Sequence, residues 1–164
     1  MVDVSCKPET EREALARGWV QMSPATLEAL LGGALPKGDA LPVARLAGIA
    51  AAKHTWEIVP LCHPLPLQAA EVEFWAERAV GRLHIQARVR AVARTGVEME
   101  ALVAVAAAAL SVYDMCKAVE GGLVIGGIRL VEKSGGRTGE FRREEAWPPA
   151  SAETVGRGRG GGET

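Results

Sequence analysis

Aromatic side chains are scarce: four Trp, two Phe and one Tyr make up 4% of the 164 residues. A core built from this chain must close by tight packing of small and aliphatic groups rather than by large rings. Cysteine is scarce too, with only Cys6, Cys62 and Cys116, odd in number and widely spaced. That argues against a disulfide framework and for a reducing compartment. Net charge is almost absent, at −1, which leaves no field to draw nucleic acid or an anionic membrane. The opening MVDVSCKPETER has no apolar signal core, and the longest apolar run is too alanine-rich and acid-flanked to be read as a membrane span. There is no GxGxxG, no P-loop, no GxSxG and no CxxC. With 48% hydrophobic and 24% charged residues, the chain is expected to be one globular domain in the cytoplasm.

The chemistry concentrates between Gly96 and Val119. Ala101 to Leu110 contains only Ala, Leu and Val, six of them alanines, and predicts a long helix. Glu98 and Glu100 precede that run, and Asp114 and Lys117 follow it. Asp114 and Lys117 are one turn apart and share a face, so they can pair. Glu100 and Asp114 point roughly the same way but lie about 21 Å apart along the axis. One small pocket cannot use both ends of one helix. Either the ligand is long, or two copies of the helix meet antiparallel, which the alanines favour because they permit close approach. The plainer reading is that acids in a first turn and a lysine in a last turn only complement the helix dipole.

Elsewhere the punctuation is clear. Gly18 to Met22 reads as a strand, Ser23-Pro24 opens a helix that Gly32-Gly33 ends, and Asp39 caps a second helix running from Ala40 to Trp56. Lys37, between Pro36 and Gly38, is a cation on a constrained loop. Pro60, Pro64 and Pro66 make an extended, rigid segment that carries Leu61, Cys62 and His63. Glu71 to Trp75 and Leu83 to Ala93 alternate as a hairpin, the second with a basic face that reads as solvated sheet surface. Leu123 to Val131 is a last strand, with Gly126-Gly127 as a bulge. This order predicts an α+β fold: a ferredoxin-like antiparallel sheet with helices packed on one face, plus an extra helix. From Trp147 to Thr164 the composition turns to Pro, Gly, Ser and Arg and predicts a disordered tail, leaving residues 1–146 as the domain.

His54, Cys62, His63 and Cys116 can be gathered into a zinc reading, as in a zinc-dependent nucleotide hydrolase, but their spacing matches no Cys/His ligand pattern. A third reading is a non-catalytic oligomeric scaffold that uses the alanine helix for assembly alone.

Taken together, several stretches carry a strong resemblance. They are Met1-Val2-Asp3-Val4-Ser5, Lys37-Gly38-Asp39, Ala44 to Ile49, Ile58 to Leu65, Thr95 to Leu102, Tyr113 to Ala118 and Lys133-Ser134-Gly135-Gly136. Over residues 1–142 the chain resembles the C protein of molybdenum-cofactor biosynthesis, the cyclic pyranopterin monophosphate synthase accessory family. The resemblance implies a lyase that rearranges 3′,8-cyclo-7,8-dihydro-GTP to cyclic pyranopterin monophosphate and releases pyrophosphate. It also implies a homohexamer, a trimer of dimers with sites between subunits, and no metal or organic cofactor. Matched position by position, it places catalysis on Asp114 and Lys117. Substrate contacts fall on Lys37, Leu61, Cys62, His63, Glu98, Met99 and Glu100, with Lys7 and Arg12 approaching the triphosphate. Two departures stand out: the segment that relatives usually carry before MVDV is absent here, and Val43 stands where they often have Thr. The chemistry needs repeated proton transfers, the task of a positioned acid/base pair. A lysine suits it if its amine is tuned toward neutrality, with Asp114 to orient it.

Overall fold

The alternating and helical periods condense into one antiparallel sheet with helices on it. The computed structural model describes residues 1–136 and 139–156. The elements are β1 (Thr10–Gln21), α1 (Pro24–Leu31), α2 (Ala40–Lys53), α3 (Thr55–Ile58), β2 (Leu67–Glu77), β3 (Arg82–Ala93), α4 (Glu98–Cys116), β4 (Val124–Ser134), β5 (Phe141–Arg142) and β6 (Glu153–Val155). Strands follow the order β5-β4-β1-β3-β2-β6, every neighbouring pair antiparallel. The four long strands give the split β-α-β arrangement expected of a ferredoxin-like α+β fold.

Helix α4 lies over β1, β3 and β4, and α2 packs beside it over β2. The small residues decide how close they come. A Cβ built on Gly48 of α2 would stand 2.8 Å from the Ala104 carbonyl oxygen of α4. Ala101, Ala104, Ala108 and Ala109 form the buried stripe of α4. By length and apolarity α4 could cross a membrane, yet half of that stretch is buried inside the protein, as in the core helix of a globular fold.

Two boundaries differ from the sequence reading for a visible physical reason. β1 begins at Thr10, well before Gly18, because it is a central strand. Ala14 to Val20 is covered on both faces almost without a break, which erases the period of two that marks a half-buried strand. The second helix stops at Lys53: His54 leaves helical geometry, and the Thr55 hydroxyl donates to the Ala51 and Ala52 carbonyls before the short α3 starts. The Gly126-Gly127 bulge is present, with a register shift opposite Arg17 and Trp19 and φ of +62° at Gly127. The Trp19 ring occupies the space a side chain at either glycine would need.

The expected tail is corrected in its first part. Trp147 sits edge-on to Trp75, at 5.1 Å between centroids, and carries the Arg17 guanidinium 4.1 Å over its ring. Arg17 is buried and also bonds Gln86 and Glu145. Ser151 donates to Glu77, which pairs with His84. β6 then adds to the edge of β2. Arg45 of α2 donates to the Val72 carbonyl at 2.9 Å and to the Gly156 carbonyl at 2.6 Å. Composition alone understated this segment, since one tryptophan in a prepared socket substitutes for a run of core residues. Part of the basic face of β3 is thus covered and neutralised; His84 lies beneath Trp147, while Arg88 pairs with Glu13. Residues 157–164 of the expected tail lie outside the described residues. Trp147→Ala should lower unfolding stability by about 2 kcal/mol, read from the denaturant midpoint, through lost ring packing and the lost cation–π contact.

Candidate active site

The first turn of α4 carries Glu98, Met99 and Glu100. No side chain caps this helix, because Val97 occupies the N-cap. The loop Thr95-Gly96 turns the chain out of β3 into α4, and Glu98 folds back over Gly96, where a Cβ would meet its carboxylate. Glu100 points inward and is only 4% exposed. Burial pushes its carboxyl up to about 7, and the neighbouring charge of Glu98 adds to the effect. Pro60 to Pro66 leads Leu61, Cys62 and His63 past this helix end. With Val4, Lys7, Glu98, Met99 and Glu100 they line a cavity of about 320 Å³. Burial and the Glu100 charge push the Cys62 thiol up, so it is no ready nucleophile.

A second cavity, about 460 Å³, opens on the other side of Glu98. Its cations arrive from four elements: Lys7 from the N-terminal segment, Arg12 from β1, Arg94 from the end of β3 and Lys133 from β4. The arrangement is braced. Arg12 donates to the Ala93 carbonyl at 3.2 Å and lies flat against Gly136, and Arg94 donates to the Ser5 carbonyl at 2.9 Å. Gly135 passes so close to the Glu11 carbonyl, with φ of +91°, that no side chain fits there. Lys7, Thr95, Gly96 and Glu98 belong to both cavities, so the two are neighbours that share a wall. Four cations on one side and a proton-bearing carboxyl on the other suit a polyanion with a titrating head.

At the opposite end of α4, Asp114 stands between two lysines. Lys117 Nζ lies 2.7 Å from Asp114 Oδ1, and Lys37 Nζ lies 2.5 Å from Oδ2. Hydrogen bonds from Lys117 and then Lys37 pull the Asp114 carboxyl down to about 2. Asp114 in turn pushes the Lys117 ammonium up. The expectation of an amine tuned toward neutrality is therefore not met within one chain: all three side chains are about half exposed, and Lys117 is held as a cation.

The structure thus collects Lys7, Arg12, Leu61, Cys62, His63, Glu98, Met99 and Glu100 at one end of α4, and Lys37, Asp114 and Lys117 at the other. The chain as a whole is similar to known proteins. The model of the MoaC family matches residues 1–136. The chain belongs to the MoaC family. It is 58% identical over 149 residues to a protein of Pelotomaculum thermopropionicum named cyclic pyranopterin monophosphate synthase, covering 90% of this chain and 88% of that one. Proteins of the same name from Chloroflexus aggregans (57% over 146 residues, 89% and 88% covered) and Thermomicrobium roseum (58% over 145 residues, 88% and 87% covered) are similarly close.

In this MoaC family chain the residues of the zinc reading do not converge. His54 pairs with Glu57, Cys116 is buried under the far end of α4, and among the described residues no group of three or more His, Cys, Asp or Glu could hold a metal. Sequence reasoning passed over Arg94, assigned to a solvated face, and Lys133, which pairs with Glu98 at 3.1 Å. The signal for Lys133 was present: a lysine followed by Ser134-Gly135-Gly136 at a strand end, where backbone approaches a neighbour closely.

Glu100 carries a pH signature. Its carboxyl is raised from 4.5 to about 7 in the folded chain, so the stability it gives is full below pH 4.5 and is lost as pH rises to about 7. Glu100→Gln keeps the shape without the charge. It should stabilise the protein by on the order of 2–3 kcal/mol at about pH 8 and by little at about pH 4, in denaturation curves at both pH values.

Proposed function

We infer that this chain is a cyclic pyranopterin monophosphate synthase: it converts 3′,8-cyclo-7,8-dihydro-GTP to cyclic pyranopterin monophosphate and releases pyrophosphate. The observation that carries this reading is the close identity, across nearly the whole length, to proteins of that name. The geometry supports it. A triphosphate needs a basic bed, and Lys7, Arg12, Arg94 and Lys133 supply one beside the cavity of His63 and Glu100. Closing the cyclic phosphate joins a substrate hydroxyl oxygen to the α-phosphorus and breaks that phosphorus's bond to pyrophosphate. The hydroxyl proton must go to a base, and opening the aminal needs an acid. Lys117, held as an ammonium by Asp114, is suited to donate, and Lys37 completes the cationic half. We place the enzyme in the cytoplasm, with its small-molecule substrate arriving from an upstream radical enzyme.

The two clusters sit at opposite ends of a 19-residue helix, about 21 Å apart between Glu100 and Asp114. We propose that the complete site forms between subunits of a hexamer, a trimer of dimers. The outer side of the helical layer supports this: Leu46 is 68% exposed and Leu110 62%, with Val43 and Met99 also open, an apolar surface suited to a second copy.

Purified protein given the cyclised nucleotide should yield the cyclic monophosphate and one pyrophosphate; a protein that binds the nucleotide and leaves it unchanged would fit a scaffold instead. Glu100→Ala and Lys117→Ala should each abolish turnover, and mixing the two under subunit exchange should restore part of it. Mixing Asp114→Ala with Lys117→Ala should restore none, since those side chains share one half-site. A tagged pull-down establishes that exchange took place. A dead first mixture after exchange would put the whole site within one chain.

A further inference from the structure

Glu98 stands in the wall between the two cavities, and its partner is Lys133, which lines only the basic one. The pair is about one-quarter to one-third exposed, so its charges are less screened than on an open surface. On the other side of Glu98 lies Glu100, buried, with no other side chain paired to it among the described residues. An anion settling among Lys7, Arg12, Arg94 and Lys133 competes with Glu98 for the Lys133 ammonium, because a polyphosphate carries several negative charges against the one of a carboxylate. Whatever share the anion takes leaves the Glu98 charge less compensated at the cavity that it lines together with Glu100. We propose that Lys133 is a positioning residue that couples polyphosphate binding in the basic cavity to uptake of a proton by Glu100, through its ion pair with Glu98. This rests on the synthase reading for its ligand, and it adds a sequence of events: the substrate's own triphosphate loads the acid that its pterin-forming end then meets.

The other charged and titrating groups around Glu100 come from every neighbouring segment. Cys62 and His63 face it from the proline-rich loop, Lys7 from the N-terminal segment and Glu98 from its own helix, with Lys133 behind Glu98 on β4. Of these, Lys133 is the one whose charge an anion in the basic cavity can draw away from Glu98.

Calorimetric titration of the full chain with inorganic pyrophosphate tests this without turnover. Near pH 7, where Glu100 is half titrated, runs in two buffers of different ionisation enthalpy give the protons taken up on binding. Wild type should take up a fraction of a proton more than Glu100→Gln, which subtracts the titration of pyrophosphate itself. Lys133→Met should bind pyrophosphate about tenfold more weakly and lose that excess, and Lys133→Arg should recover both. Equal uptake in wild type, Glu100→Gln and Lys133→Met would overturn the coupling. Failure of pyrophosphate to bind the wild type while the cyclised nucleotide is still turned over would overturn it too, and leave the synthase reading standing. Loss of turnover in wild type, with the proton excess intact, would do the reverse.

Discussion

The contact on which the site depends is the approach of α2 to α4, where Gly48 lets the two backbones come almost to touching beside Ala104. That approach presses the alanine stripe of α4 onto the centre of the sheet and leaves no slack along the axis. Every charged group that matters is then placed by its position on, or against, one rigid rod. With so few rings available, small residues achieve by proximity what aromatic bulk achieves in other cores. The cost is sensitivity: a single methyl group at Gly48 has nowhere to go but into a carbonyl oxygen.

The two ends of that rod are different electrostatic environments. Asp114 is exposed and held ionised by two cations, so it keeps its charge near neutral pH whatever its other neighbours do. Glu100 is enclosed and poised near neutrality, so its charge depends on its neighbours. A fixed ion triad and an adjustable acid would suit the several proton transfers of the proposed reaction. The contrast follows from surroundings, since both groups are carboxylates on the same helix: two lysines bond Asp114, whereas burial raises Glu100.

Much of this was legible in the chain. The caps Ser23 and Asp39 each accept from a backbone N–H of their helix, the central helix runs nearly as its alanine run implies, and the glycine pair of β4 bulges where it should. These signals are local, and local chemistry decides them. What escaped reading was set by distant contacts. Ala14 to Val20 lost its alternation because both faces are covered, Lys133 took its meaning from a glutamate 35 positions earlier, and Trp147 from an arginine 130 positions before it. Apart from Arg94 and Lys133, the candidate residues were named from motifs. That they divide into two groups was foreseeable from helix length, but the wall shared by two cavities was not.

Arg45 gives the sheet edge an unusual finish. One guanidinium from the helical layer satisfies the carbonyl of Val72 on β2 and that of Gly156 just after β6. The outermost strand is three residues long, and where its pairing with β2 ends the guanidinium bridges the two backbones. The ladder is therefore tied off at that end by a side chain: one planar cation stands in for the next backbone bonds and joins the last strand to the helical layer.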